Sequence, residues 1–557
     1  MKAVLHKSSL IKKTIQVGGV TFISRMLGLL REVMTARYLG ATLIADAFIT
    51  AFKIPNSLRK IFAEGALSAA FVPVVVKAQL EDDTKAINSI MTLAFLIFEG
   101  LLILLCVLIF FKAESVIRFI APGWYSYHLP GLVSHDISGH IDRFFYTIKI
   151  FLYPAYYGVQ AGPQVAYAVT FLRILISFIL FISSSALLTG ALHSINHFFV
   201  PAFAPVLFNI VYISGLVMSI YYGLSVQQFC WFVLAAGLAQ FFIHIFVYFY
   251  LGFGFGSITK KSWSAMRLVL IKFFPCVVSM SAMEISLFVD TSLASYLPTG
   301  SMMQIYLSNR FVGIPLGVFA TAFSTILLPH FSRVTVRAPE RMSFYLLEAV
   351  KLVFWVTLPV TIFLVWWAKP IFITLFLSPK FPYDKIIGAS YVLIAFSLGL
   401  FFFSINKILL SIYYAFHETR IPTIITLLAT LLNIILNLLL LHSMQATGLA
   451  LATSFAAMVQ TILFIYFLRK KCGVIFYTNR FMLFVRSYLN QIIVIGGLVA
   501  SFYYFCLYLI SRLPYSLSIL LLQKIWFWFW AGPLACGALL LLYLTRKQFG
   551  VRLFFVD

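Results

Sequence analysis

The sequence predicts an all-α polytopic membrane protein with about 14 transmembrane helices, set by the length a helix needs to cross a bilayer. Three observations carry this. Of 557 residues, 62% are hydrophobic and 10% charged, whereas a soluble chain carries roughly a quarter charged residues. Apolar stretches of about 18 residues or more recur from end to end, each long enough to span. The basic residues lie mainly in short segments between these stretches, the arrangement that orients membrane helices.

Length and breaker residues place the spans at 13–38, 43–77, 87–112, 166–192, 200–222, 227–253, 266–297, 302–331, 345–368, 386–416, 421–442, 446–468, 485–511 and 523–545. Loop signals separate several of them: KAQLEDDTK at 77–85, SITKK at 257–261, SRVTVRAPER at 332–341, HETRIP at 417–422 and LRKKCG at 468–473. With the N-terminus inside, the cytoplasmic side collects roughly 21 Lys and Arg against about 8 outside. Both termini are therefore expected in the cytoplasm, and the number of spans is expected to be even.

Composition also excludes classes. The formal charge of +24 invites a nucleic-acid reading, but basic residues in short inter-helix loops serve topology rather than groove binding. The six cysteines are scattered, without a CxxC pair, so neither a metal site nor a disulfide framework is expected. MKAVLHKSSLIKK is basic, but the apolar run after it contains arginines and has no convincing cleavage site. The segment 123–165 is expected outside the membrane. Its aromatic piece FFYTIKIFLYPAYYG is short and broken by Pro154, which reads as interfacial or re-entrant. His128, His135, His140, Asp136 and Asp142 nearby match no metal-ligand spacing and read as an ordinary polar loop.

The functional signal is the ionisable residues that interrupt apolar helices, since a charge at membrane depth is costly and usually faces a bundle interior or a wet cavity. The first span holds Arg25, Arg31 and Glu32, with Arg25 and Glu32 seven positions apart on one face. The second holds Asp46, Lys53 and Arg59 around Ile54-Pro55-Asn56, where Pro55 is expected to kink the helix. The seventh holds Glu284 and Asp290. The eighth holds Asn309 and Arg310 before GIPLG, another kink signal; the tenth holds Lys407; the eleventh holds Asn433 and Asn437 at i, i+4.

Arg37, Lys60 and Lys112 sit near helix ends, where long side chains reach the interface. Lys53 and Lys407 read equally well as ion-pair members, and Asn433 with Asn437 as helix–helix hydrogen-bonding pairs. Arg25, Arg31, Arg59 and Arg310 resist that reading. Four buried cations with too few carboxylates define a site for an anion, and the planar guanidinium suits a phosphate in particular. The ligand expected from the residues alone is an amphiphile or solute with a phosphate or carboxylate head.

The stretch SRMLGLLREVMTARYLGATLIADAFITAFKIPNSLRKIFAEGALSAAFVPV, residues 24–74, closely resembles the MurJ (MviN) family of lipid II flippases, within the multidrug/oligosaccharidyl-lipid/polysaccharide exporter superfamily. IAPG at 120–123, VPAFAPVLFNI at 200–210 and NRFVGIPLGVFATAFSTILLP at 309–329 extend the resemblance over most of the chain. It implies two six-helix bundles around a central cavity plus two C-terminal helices. Laid on the spans, these are a bundle at 1–253 with the external insertion 123–165, a bundle at 254–475, and two helices with a short cytoplasmic tail at 476–557.

By the same resemblance, substrate-binding residues are Arg25, Arg31, Arg59, Arg310, Lys53, Glu32 and Asp46. Glu32 stands where the family commonly has Asp, and Asn309 where many members have Asp. A monovalent-cation site like that of some relatives falls on Asp290, Asn433, Asn437 and Thr453. The implied activity is flipping of lipid II, a polyprenyl-diphosphate-linked muropeptide, across the bacterial inner membrane, in contact with membrane lipids and cell-wall synthesis and division proteins. No Walker motif or other nucleotide cradle occurs in the sequence. No cofactor and no nucleic acid are expected, and the sequence leaves coupling to membrane potential or a monovalent ion open. An exporter of another lipid-linked oligosaccharide and a membrane-embedded lipid-processing enzyme are the alternatives.

Overall fold

The computed structural model describes residues 7–62, 71, 74–75, 78, 84–128, 158–195, 197–514, 517–518, 521–522 and 526–556. The chain divides into two compact units, Met1–Met303 and Gln304–Asp557.

The first unit contains α1 (Lys7–Leu39), α2 (Leu43–Arg59), α3 (Thr84–Ala94), α4 (Gly100–Phe111), α5 (Ala113–Ile120), α6 (Pro163–Leu175), α7 (Phe178–Ser194), α8 (Phe199–Tyr221), α9 (Val226–Tyr250) and α10 (Lys260–Ala294). Helix α1 packs on α8, α2 on α6 and α7, and α8 on α9. The α8–α9 approach is close because Gly215 carries no Cβ: one placed there would lie 2.4 Å from Cβ of Phe232. Phe71, Met91, Phe98, Leu187, Tyr248 and Phe273 belong to its buried apolar core.

Among the described residues a two-stranded ribbon, β1 (Tyr125–His128) and β2 (Gly158–Ala161), pairs antiparallel with Tyr125 opposite Ala161. Residues 129–157, with His135, Asp136, His140, Asp142 and nearly all of the expected re-entrant piece, lie outside the described residues.

The second unit takes in most of α11 (Ser301–Pro315), then α12 (Ala322–Arg337), α13 (Met342–Trp366), α14 (Ala368–Phe376), α15 (Tyr383–Leu398), α16 (Leu400–Ala415), α17 (Arg420–Cys472), α18 (Thr478–Ser511) and α19 (Phe527–Thr545). Its core joins α12, α13, α16 and α17 through Phe331, Leu346, Ile408, Tyr413 and Phe464. The C-terminal Val551 and Leu553 pack with Leu352, Phe484 and Tyr488. The GIPLG signal ends in a π-helical turn, Leu316–Thr321, directly after Pro315. Helix α2, by contrast, runs helical through Pro55.

Helix α17 is two spans broken at Gln445, whose φ of 48° and ψ of −131° leave the helical region. The chain reverses tightly there: a Cβ on Gly448 would lie 2.6 Å from the Leu440 carbonyl oxygen. Gly448→Val is expected to force the hairpin apart and lower the thermal unfolding midpoint of the detergent-solubilised protein, by about 1–3 kcal/mol in stability, the usual cost of overpacking. An unchanged midpoint would refute the close contact.

Among the described residues, eleven helices are long and apolar enough to cross a membrane, and they coincide with eleven predicted spans. The other three predicted spans fall on α1, α2 and α10, which are helical in their described parts but are interrupted by charge. An all-α polytopic architecture follows.

Candidate functional site

The ionisable residues singled out in the first unit gather on the three predicted spans that the apolar criterion does not reach. On α1, Arg31 and Glu32 are adjacent in sequence and joined directly: Arg31 Nη2 donates to Glu32 Oε1 at 2.7 Å. Arg31 Nη1 donates to Asn209 Oδ1 of α8 at 3.1 Å. The guanidinium stands over the rings of Phe208 and Tyr212, 5.5 and 5.2 Å from their centroids. Asn209 in turn donates through Nδ2 to the Ser24 carbonyl at 3.1 Å. A single asparagine thus ties two turns of α1 to α8 and aims the arginine fork. Arg25 lies exposed on the same helix.

On α2, Arg59 directs both Nε and Nη2 to Asn56 Oδ1, at 3.1 and 3.0 Å, so the asparagine after Pro55 holds this guanidinium. Lys53 donates through Nζ to the Leu287 carbonyl of α10 at 2.6 Å and to Thr291 Oγ1. Glu284 of α10 is buried and accepts from Ser57 Oγ at 2.5 Å and Lys60 Nζ at 3.1 Å. Lys60, expected to reach the interface on its own, is instead an ion-pair partner of Glu284. The carboxyl sits close to the end of α2, and a buried charge is tolerated best when paired.

Asp46 is 4% exposed, and both its oxygens accept backbone N–H groups, Gly300 at 2.6 Å and Met303 at 3.2 Å. That is a capping geometry, satisfying amides at a helix start that have no intrahelical acceptor. Gly300 has a φ of 89°, and a Cβ there would lie 2.7 Å from the Ala41 carbonyl oxygen.

In the second unit Arg310 is exposed, its Nη2 donating to Tyr306 OH at 3.2 Å and its guanidinium 4.9 Å from that ring. Lys407 donates to Thr321 Oγ1, at the end of the π turn, at 2.9 Å. Asn437 Nδ2 donates to Asn433 Oδ1 at 3.1 Å, and Asn433 Nδ2 to Thr453 Oγ1 at 3.2 Å. Three of the four residues of the expected cation site therefore form one chain of amide and hydroxyl groups. Asp290 belongs to the first unit. No cluster of three or more His, Cys, Asp or Glu side chains suited to a metal occurs among the described residues.

One expectation is corrected. The four arginines are not buried cations: Arg25 and Arg310 are exposed, and Arg31 and Arg59 are half-buried. Guanidinium groups keep favourable surroundings by staying reachable, which is also what an incoming anion requires. Asn209 was missed. The cue was present, a lone amide in the apolar span 200–222, but its partner lies 178 residues away.

A multi-pass helical protein whose charged side chains gather on its least apolar helices has the build of a membrane transporter. Its fold is also that of an inward-facing MATE family transporter of the MOP superfamily, with a TM-score of 0.65 at 14% identity over 82% of this chain and 98% of that one.

The family model for lipid II flippase MurJ matches residues 35–133 and 145–522, and the chain belongs to that family. It is 31% identical over 466 residues to the probable lipid II flippase MurJ of Buchnera aphidicola subsp. Acyrthosiphon pisum, covering 82% of this chain and 83% of that protein. A solved structure of lipid II flippase MurJ in an inward closed conformation superposes with a TM-score of 0.70 at 25% identity, covering 96% of this chain and 99% of the other.

Proposed function

We propose that this protein flips the undecaprenyl-diphosphate-linked peptidoglycan precursor, lipid II, from the inner to the outer leaflet of the bacterial cytoplasmic membrane. It acts as a transporter rather than an enzyme, by alternating access and without ATP hydrolysis. The observation that carries the reading is the family match along most of the chain. The reachable guanidinium groups of Arg31, Arg59 and Arg310 give it a chemical basis.

In this reading, charge complementarity draws the diphosphate off the inner leaflet. Arg31 meets it as a fork already oriented by Glu32 and Asn209, so little ordering is needed on binding. Arg59 and Arg310 supply further donors, with Arg25 at the approach and Lys53 reinforcing the positive field. Glu32 and Asp46 hold this arrangement rather than contact the anion. An inside-negative potential favours outward movement of negative charge by about 2.3 kcal/mol per charge per 100 mV. Asp290, Asn433, Asn437 and Thr453 are the proposed seat of a coupled monovalent cation. Both termini face the cytoplasm by the distribution of Lys and Arg, the side on which lipid II is made, and cell-wall synthesis and division proteins are the partners that would remove the product outside.

The test is headgroup exposure. Cells depleted of their own lipid II flippase express this chain or Arg310→Ala at matched membrane levels, and externally accessible lipid II is quantified. Restoration by wild type, with a tenfold or greater loss in the variant, is the expected result. Undiminished exposure with Arg310→Ala would remove this residue from the site.

A further inference from the structure

The second unit carries a block of exposed positive charge that the transport site does not use. Helix α17 finishes on Arg469, Lys470, Lys471 and Cys472, and Gly473, with a φ of 66°, caps it in the left-handed conformation. The chain then enters α18, which bears Arg480 and Arg486 in its first three turns. All five cations are exposed. Arg480 lies over the Tyr477 ring, 5.2 Å from its centroid. None of the five forms an ion pair among the described residues.

The connection between the two helices is fixed by packing. Val474 is buried, and the Ile475 N–H donates to Ser343 Oγ of α13 at 2.9 Å. Phe476 packs on Phe481, 5.5 Å between centroids. Leu468 and Val474 share a core with Val334 of α12 and Met342 of α13. Carboxylates on the packed elements do not neutralise this end. Glu348 is buried, bonded to Lys351 at 2.8 Å and to the Phe554 N–H at 3.2 Å. Glu418 accepts the N–H groups of Arg420 and Ile421. Glu340 is exposed, but it stands between Arg337 and Arg341, which are exposed as well.

Depth and composition indicate what covers the block. Helix α18 runs for 34 residues, about 51 Å at 1.5 Å per residue, whereas the hydrocarbon core is about 30 Å thick. The continuous helix therefore overruns the core by several turns, and its overrun carries Arg480 and Arg486 into the headgroup layer. Exposed apolar side chains are interleaved with the cations: Ile475, Tyr477, Met482 at 60% and Leu483 at 67%. Such a mixture suits the bilayer boundary, where apolar groups enter the acyl edge and long basic side chains reach outward to phosphates. Orienting a helix during insertion requires net charge alone. A fixed turn with apolar side chains set among the cations goes further.

We propose that the α17–α18 junction is a binding surface for anionic phospholipids, with Arg469, Lys470, Lys471, Arg480 and Arg486 as headgroup donors and Met482 and Leu483 set into the acyl edge. Charge complementarity selects the anionic headgroup, because a zwitterionic one brings its own ammonium to a surface that is already positive. The surface seats the start of α18 in the headgroup layer of its leaflet.

The proposal does not depend on which lipid is carried, so its test uses none of the transported substrate. Full-length protein is reconstituted in phosphatidylcholine vesicles containing a trace of either phosphatidylglycerol or phosphatidylcholine with a photoreactive group high on one acyl chain. After illumination, adducts on residues 469–490 are mapped by mass spectrometry. Phosphatidylglycerol adducts are expected to exceed phosphatidylcholine adducts by about tenfold at low salt. The excess is expected to collapse when ionic strength rises from about 0.05 to about 0.5 M, and in the variant with all five cations changed to Gln. Equal labelling by the two probes, or an excess indifferent to salt, overturns the proposal. Where the variant does not insert, the salt series on wild type decides alone. Equal labelling by both lipids, together with protection of the segment by added polyglutamate, would assign the surface to an acidic protein and equally overturn it.

Discussion

Arg31→Ala is expected to abolish growth support by this chain in cells lacking their own flippase, and to lower outer-leaflet exposure of lipid II at least a hundredfold. The substitution acts twice. It removes a guanidinium oriented by Glu32, at 2.7 Å, and Asn209, at 3.1 Å, the proposed donor to the diphosphate. It also removes the positive charge beside Glu32, changing the local charge by one unit in the direction that repels a diphosphate. Hydrogen bonds to charged groups contribute about 1.5–3 kcal/mol each. Loss of one such bond to the substrate, together with the repulsion left behind, corresponds to two or more decades at about 1.4 kcal/mol per decade.

The companion variants separate these effects. Arg31→Lys keeps the charge but loses the planar fork, and it retains a minor part of the activity. Asn209→Ala keeps the guanidinium but frees one side of it, for a smaller loss of about tenfold. The double variant Arg31→Ala with Glu32→Gln removes the repulsion and recovers part of what Arg31→Ala loses. Membrane level and thermal midpoint are measured alongside, since Arg31 also lies over Phe208 and Tyr212. Full activity in Arg31→Ala would refute an anion-binding role for this side chain.

The architecture was legible in the sequence because the bilayer makes span length nearly a counting problem. Eleven predicted spans recur as apolar helices, and the hairpin at 442–446 was read as two spans, as its break at Gln445 requires. The site was only partly legible. Arg31, Glu32, Lys53 and Arg59 announced themselves as charges in apolar runs. Their partners did not: Asn209, Leu287 and Thr291 are contributed by helices far along the chain, and no local pattern encodes which helix is a neighbour.

Asp46 is where sequence and structure assign different work to one residue, and substitution there separates them. By the family resemblance it joins the substrate-binding set. In the fold its two oxygens are occupied by the amides of Gly300 and Met303 in a nearly water-free position. Asp46→Ala leaves two buried N–H donors without an acceptor, at about 1–3 kcal/mol each. Because Gly300 already holds a φ of 89° against the Ala41 carbonyl, the turn has little freedom to find replacements. Asp46→Ala is therefore expected to lower stability by about 2–6 kcal/mol, read as a fall in the unfolding midpoint and in the amount of protein inserted. Asp46→Asn keeps one acceptor oxygen but turns an amide donor toward the second N–H, and it falls between wild type and alanine. Affinity of the surviving folded protein for a diphosphate lipid stays within about threefold of wild type in both. The opposite pattern, a wild-type midpoint with weakened or strengthened substrate binding, would return Asp46 to the substrate's side of the site.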